Sequence, residues 1–267
     1  MISEEQKEEC RKIQLRLLDS LNQICIKNNI EYWIDFGTLL GAKRNKKFIP
    51  WDDDIDVSMP IKDYRKFIEI AQNELPVDIF LQTPKTDPGY RQYFSKLRDC
   101  NSTFLEHHET GKESYHEGIY IDIFPSVYYP KLPYFPRKVL LYFTVRSRYK
   151  AVVMRKNRIY NYFIYALCKI IWFILSPFKS DNFAQTPEDN GYYYAIPKKF
   201  LYPITKVEFE GNFYPAPNMI NEYLSLMYGT DYMNPPPPEK RISHSKLILP
   251  NTPCNHPRSL KRNGQSK

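Results

Sequence analysis

Between Ser126 and Ser180 the chain carries no aspartate and no glutamate, while the same stretch holds 11 lysines and arginines. The whole 267-residue chain has a net charge of +8, which leaves the remainder at −3. The charge is therefore segregated, and that argues against a simple nucleic-acid binder. Also missing is any C-x-x-C pair. The five cysteines, Cys10, Cys25, Cys100, Cys168 and Cys254, are odd in number and far apart. That is the pattern of reduced thiols, not of a disulfide frame or a zinc site. No apolar run reaches the ~20 residues a membrane-spanning helix needs. The most apolar stretch, Tyr162 to Phe178, has 17 residues and includes Lys169. Internal repeats are lacking. The opening MISEEQKEEC is acidic and polar, unlike a secretory signal, so a cytoplasmic location is expected.

What is present supports a packed core. Hydrophobic residues make up 42% of the chain and charged ones 25%, which excludes wholesale disorder. The length suits one or two domains. Ser3 and Gln6 fit a capping box, and Cys10, Ile13, Leu17, Leu21, Ile24 and Cys25 recur at helical spacing. Together they predict a helix from Ser3 to Lys27. Tyr32, Ile34 and Phe36 alternate as in a strand that Gly37 breaks, and TLLGAKR opens a helix. Such a Gly-Thr junction can aim backbone N–H groups at phosphate, or be a plain turn. DDDIDVSMP reads as a strand, IKDYRKFIEIAQNEL as an amphipathic helix, YRQYFSKLRDCNSTFLE as a strand pair and GIYIDIFPS as a further strand. VEFEGNFYPAP predicts a hairpin, NMINEYLSLMYG a helix capped by Gly229, and NPPPPEKR a polyproline-like segment. The basic, apolar stretch from Arg137 to Phe178 is helix-like. It fits an interfacial unit lying on a membrane or a helical cap packed on the core, and composition leaves both open. EHHETGKESYHEG, with His107, His108 and His116, predicts a mobile polar loop in preference to a zinc site.

The stretch FIPWDDDIDVSMP concentrates four aspartates, Asp52, Asp53, Asp54 and Asp56, in five positions. Like charges at that density need water, basic side chains or a cation. An EF-hand is excluded by its own spacing, because Val57 stands where glycine is required, Pro60 at the ninth position and Asp63 at the twelfth. A fully solvated turn fits poorly between Trp51, Ile55 and Val57. On a strand, Asp54, Asp56 and Ser58 would share one face and Ile55, Val57 and Met59 the other. A Mg²⁺ or Mn²⁺ site for phosphoryl transfer needs such paired carboxylates and a third from a neighbouring strand. Asp122, inside the apolar YIDIF, is the best candidate.

DFGTLLGAKRNKKFIPWDDDIDVSMP, with SKLRD, YIDIFP and EYLSLMYGTDYMNPPPPEKRISH, resembles the LicD family of phosphotransferases, relatives of fukutin. The likeness runs in order from about Glu31 to Ser245. It implies an α+β fold with a nucleotidyltransferase-like mixed sheet flanked by helices. It also implies transfer of phosphocholine, or a related polyol phosphate, from a CDP-linked donor to a glycan hydroxyl, as in lipopolysaccharide, capsule or teichoic acid. By the same resemblance Asp54, Asp56 and Asp122 are catalytic and bind metal, with Asp52 beside them. Gly37, Thr38, Arg44, Lys96, Arg98 and His244 would contact the donor. The second histidine that often follows is Ser245 here. The implied layout is a catalytic core over 1–130, a helical basic insertion over 131–185, a part completing the catalytic domain over 186–250 and a disordered tail over 251–267. The partners expected are a nucleotide-activated donor and a glycan or lipid-linked glycan, with no nucleic acid and with peripheral attachment at the inner face of the membrane if the insertion docks there. The rivals are a D-x-D nucleotide-sugar glycosyltransferase, an RNA nucleotidyltransferase and a non-catalytic membrane-associated glycan-binding protein. The Gly-Thr turn and Asp122 speak against the first, the aliphatic interleaving of the basic stretch against the second, and the intact aspartates against the third.

Overall fold

The computed structural model describes residues 2–185, 195–241 and 243–259. Helix α1 (Glu4–Asn28) starts as its capping box demands: the Gln6 N–H donates to Ser3 Oγ, and the Ser3 N–H to Gln6 Oε1. Asn29, in the left-handed conformation, closes it. The buried stripe of α1 includes Leu17, Leu18 and Leu21 and forms one wall of the main core. Strand β1 is shorter than the alternation suggests, only Trp33–Ile34. Asp35 caps the next helix, α2 (Phe36–Asn45), by accepting the Phe36 N–H at 2.8 Å, so Phe36 is drawn from strand into helix. Strand β2 (Asp56–Pro60) also begins late. Asp52 to Asp54 belong to the turn before it.

Helix α3 (Ile61–Glu74) follows as predicted. Strand β3 (Ile79–Gln82) was not expected; it is buried along its whole length, so it carries no alternation to read. Strands β4 (Ser95–Asp99) and β5 (Thr103–Glu106) exist, but they do not pair with each other. The corner between them is held by the Asp99 carboxylate, which accepts the Asn101 N–H and pairs with Arg16. It sends β5 away to pair with β11 (Ser245–Leu249). The long β6 (Tyr120–Pro130) runs parallel to β2 along one edge. Along the other it meets β4 first and then β7 (Lys179–Gln185), both antiparallel. The main sheet has the order β1-β2-β6-β4-β3, extended through β7 to β8 (Ile196–Pro197). With helices packed around one mixed sheet, the fold is α+β.

Between β6 and β7 lie α4 (Tyr134–Arg148), a π-helical turn (Tyr149–Val153) and α5 (Arg158–Leu175). The final residues of the expected helical insertion are thus a strand of the main sheet. Beyond β8 come α6 (Lys198–Leu201), the expected hairpin of β9 (Thr205–Phe209) and β10 (Asn212–Ala216), and α7 (Ile220–Tyr228), capped by Gly229 at φ 87°. Phe209, Tyr214, Tyr223 and Leu224 join the same core as α1 and β2. The polyproline-like run is interrupted by a 3₁₀ turn at Pro238–Lys240.

Two further corrections concern His116 and the C-terminal residues that pack against it. His116, expected in a mobile loop, is fully buried. Its Nδ1 accepts the Gly118 N–H, and its Nε2 shares a hydrogen bond with Ser259 Oγ at 2.8 Å. Burial, aided by nearby Arg98, pushes its pKa down to about 2, so the ring is neutral. Ser259 and Cys254 are themselves buried. Residues 251–259 therefore pack on the domain instead of forming the expected disordered tail, and residues 260–267 lie outside the described residues. Glu117, beside His116, is 3% exposed. Burial and then the Glu113 carboxylate push its pKa up to about 8. In the unfolded chain a glutamate releases its proton near pH 4.3, so the stability gained from the retained proton is complete below about pH 4.3 and is lost as the pH rises through about 8. Glu117→Gln is expected to flatten the decline of stability between about pH 5 and 8, where the wild-type slope from this group approaches about 1.4 kcal/mol per pH unit. Urea unfolding at a series of pH values measures it; parallel curves for the two proteins would rule it out.

Candidate active site

Strand register assembles the site. Asp56 on β2 lies opposite Asp122 on β6, Asp122 opposite Lys96 on β4, and Lys96 opposite Gln82 on β3. Residues opposite one another share a sheet face, so these four polar side chains form a row across it. On the other face Val57, Leu81, Leu97, Ile121 and Ile123 are buried in the core. Asp54 arrives from the turn before β2, not from the strand as expected, yet it reaches the same point. One carboxylate oxygen from each of Asp54, Asp56 and Asp122 lies within 4.8 Å of the others. Asp52, Asp54 and His244 form a second such group.

The segment before β2 is held at several points. The Asp56 N–H donates to Thr38 Oγ1 at 2.8 Å, and the Asp56 carbonyl accepts the Asp35 N–H at 2.9 Å. Thr38 is buried, so its visible work is to hold the backbone of Asp56. Gly37 has a steric reason to be glycine: a Cβ there would sit 2.3 Å from Asp52 Oδ2. Phe36 has φ 46°, a left-handed conformation that is strained for an aromatic residue. The buried Asp35 carboxylate holds that junction by accepting from Ser58 Oγ, Tyr223 OH, Trp33 Nε1 and the Phe36 N–H. Asp53 faces away from its neighbours. It accepts the Ser243 hydroxyl and the N–H groups of His244 and Ser245 at 2.6–3.2 Å, and so positions His244 from 191 residues away. Sequence reasoning assigned no role to Asp35 and no separate role to Asp53. An Asp one position before a helix is the signal that could have found the first; nothing local marks the second.

Two cavities meet here. The first, about 650 Å³, is lined by Phe36, Gly37, Arg44, Trp51, Tyr228, Tyr232 and the carboxylates of Asp52, Asp54 and Asp56. The second, about 540 Å³, is lined by Tyr90, Arg91, Phe94, Lys96, Arg98, Glu106, Tyr115, Tyr120 and Asp122. Asp54 and His244 line both. The expected basic residues are placed unequally. Lys96 is buried, pairs with Asp122 Oδ1 at 2.8 Å and lies 3.3 Å above the centre of the Tyr120 ring. Arg98 borders the second cavity, but it donates to Gln82 Oε1 and the Gly118 carbonyl. Arg44 borders the first and donates to the carbonyls of Tyr232 and Asn234. It thereby fixes the C-terminal wall of that cavity, which Arg241 extends by stacking on Trp51 at 4.5 Å.

Electrostatics make the carboxylate cluster costly. Burial, then Asp56 and Asp52, push Asp54 well above the usual carboxylate range. Burial and then Asp122 do the same to Asp56. Asp122 is raised by burial and partly held back by Lys96. Three oxygen donors that repel one another in a half-dry site fit a hard divalent cation. Asp54, Asp56 and Asp122 could hold one, with Asp52 in reserve.

Residues 29–155 match the family described as LicD/FKTN/FKRP, nucleotidyltransferase domain. The lipopolysaccharide cholinephosphotransferase LicD of Haemophilus influenzae is 28% identical over 250 residues, covering 86% of this chain and 92% of that protein. An uncharacterised protein of Rickettsia prowazekii is 34% identical over 124 residues, 46% of this chain and 44% of its own length.

Proposed function

The chain belongs to the LicD family and is a LicD-type transferase, and from that premise we propose that it moves a phosphocholine-like group from a CDP-linked donor to a hydroxyl of a glycan such as lipopolysaccharide. The observation that carries this reading is the convergence of Asp54, Asp56 and Asp122 at the junction of two cavities. A transfer reaction needs two substrates to meet at one reacting atom. The aromatic first cavity, with Phe36, Trp51, Tyr228 and Tyr232, suits a nucleotide. The second, with tyrosines and glutamates, suits a polyhydroxyl acceptor, whose hydroxyls need acceptors and whose C–H faces stack on rings.

In this reading the acceptor oxygen attacks the β-phosphorus, the bond from that phosphorus to the bridging oxygen breaks, and CMP leaves with the electron pair. The acceptor proton passes to Asp122. Its carboxyl stands on the second-cavity side, and burial raises its proton affinity while Lys96 partly holds that rise back. A bound Mg²⁺ or Mn²⁺ would supply charge stabilisation for the diphosphate. Lys96 adds a fixed positive charge from the protein, and Asp35, Thr38 and Asp53 act by positioning. The nucleotidyltransferase-like description of the fold and a cytoplasmic site of action belong to the same proposal.

The test is CMP release. Purified protein with Mg²⁺ or Mn²⁺, a glycan acceptor and a panel of CDP-linked donors (choline, ethanolamine, ribitol, glycerol) is expected to release CMP with at least one donor and to label the acceptor. Release of a nucleoside diphosphate from a nucleotide sugar instead would favour the glycosyltransferase reading.

A further inference from the structure

We propose that the α4–α5 hairpin is a docking surface for an anionic lipid leaflet, lying in the plane of the interface and holding the second cavity over it. That the cavity there receives a lipid-borne acceptor rests on the transfer reaction proposed above; the docking itself does not.

The two faces of α5 differ sharply. Asn161, Cys168 and Trp172 are buried and, at 100° per residue, fall on one narrow stripe. Trp172 Nε1 donates to Thr144 Oγ1 of α4 at 3.0 Å. Ile159, Phe163, Ile170 and Ile174 centre on the opposite side, and with Phe173 and Phe178 they are 55–89% exposed. Phe135, Tyr142 and Phe143 of α4 add to this exposed apolar surface. A soluble domain rarely leaves so much contiguous apolar surface uncovered.

The charge says what covers it. Arg158 and Lys169 lie on the flank of α5, between the buried and exposed faces. Arg146, Arg155 and Lys156 are exposed nearby, and the segment from Ser126 to Ser180 has no acidic residue. An apolar face rimmed by cations and free of anions complements acyl chains under anionic head groups. Spanning is a poorer fit. α5 is long and apolar enough to cross by length and composition, but one stripe of it, with Cys168 and Trp172, is already packed on protein, and Lys169 sits within the helix.

The hairpin is tied to the site. Arg148 donates to the Arg91 carbonyl at 2.6 Å and stacks over Tyr93 at 5.4 Å. Arg91 and Val153, from the π-helical turn, both line the second cavity. A leaflet under α5 would thus lie beside the mouth through which the acceptor enters.

Flotation tests this with vesicles of phosphatidylcholine alone and of phosphatidylcholine with phosphatidylglycerol. Wild-type protein is expected to float with the anionic vesicles only, and to be released as salt rises from about 0.05 to about 0.5 M, where screening shortens from above 10 Å to below 5 Å. Ile170→Glu/Ile174→Glu, at exposed positions, should lose flotation while keeping wild-type CMP release on a delipidated acceptor. Absence of wild-type flotation, or undiminished flotation of the variant, overturns the proposal. So does a dimer in light scattering that the variant dissociates, since the face would then bind a second copy. Resistance to alkaline carbonate extraction would overturn in-plane docking in favour of spanning. Flotation needs no turnover, so its failure is distinct from failure of the transfer reading, which shows as no CMP release from any donor.

Discussion

Replacing Asp54 or Asp56 by asparagine is expected to abolish group transfer, by about 10³-fold or more if charge stabilisation at the diphosphate is lost, while leaving the unliganded protein as stable as wild type or more stable. The two effects have one cause. The three clustered carboxylates are desolvated and repel one another, and burial first, then that repulsion, raises Asp54 and Asp56. A neutral amide of the same shape removes a like charge from the unliganded site. The sign with pH follows. A carboxyl raised in the folded state keeps a proton that the unfolded chain releases near pH 4, so its contribution to stability is present at low pH and is lost as the pH rises through the raised value. The unliganded wild type should therefore gain stability relative to Asp54→Asn on acidification from pH 8 toward pH 5. Millimolar Mg²⁺ or Mn²⁺ should raise the wild-type melting temperature at pH 8 and leave that of the variant nearly unchanged. Thermal unfolding with and without the ion, alongside CMP release, measures all three. An active variant ends the site assignment, and a strongly destabilised inactive one would mean that the aspartates are structural.

What could be read from residues alone was local. The capping box of α1, the helix after Pro60, the β9–β10 hairpin and the Gly229 cap each have their chemistry within a few neighbouring positions. The fate of YRQYFSKLRDCNSTFLE was not readable. Both strands carry the right residues, but their partners are β3, β6 and β11, chosen by distant surfaces. Strand β3 was invisible because burial on both faces erases the alternation that marks a strand.

The site divides the same way. Asp122 was placed beside the D-x-D pair by the apolar residues around it and by resemblance, and the parallel register of β2 and β6 sets it directly opposite Asp56. The roles of individual aspartates in WDDDID were not readable, because the chain enters β2 only at Asp56. The preceding turn sends Asp53 toward Ser243–Ser245 while Asp52 and Asp54 face the cavities. His116 failed for a related reason. Its polar neighbours suggested solvent, but its partner Ser259 is 143 residues away, beyond any window of composition.

The opposite result is expected on the basic side of the same cluster. Lys96→Met should destabilise the unliganded protein by about 3–5 kcal/mol, the range for removing one member of a buried ion pair. Lys96 and Asp122 have side chains only 6% and 10% exposed and lie 2.8 Å apart. Removing the ammonium leaves Asp122 beside Asp56 and Asp54 with no direct counter-charge, and it also removes the cation from the Tyr120 ring. The remaining relief is protonation of Asp122, so the deficit should shrink as the pH falls. Asp122→Asn in the Lys96→Met background should restore part of the loss, giving strongly non-additive effects in a double-mutant cycle. Urea unfolding of the four proteins at two pH values measures this. A loss below about 1 kcal/mol, as for an exposed pair, would mean that water and not Lys96 balances Asp122. Then Asp54→Asn should no longer stabilise, because both signs follow from the same shortage of positive charge in a half-dry site.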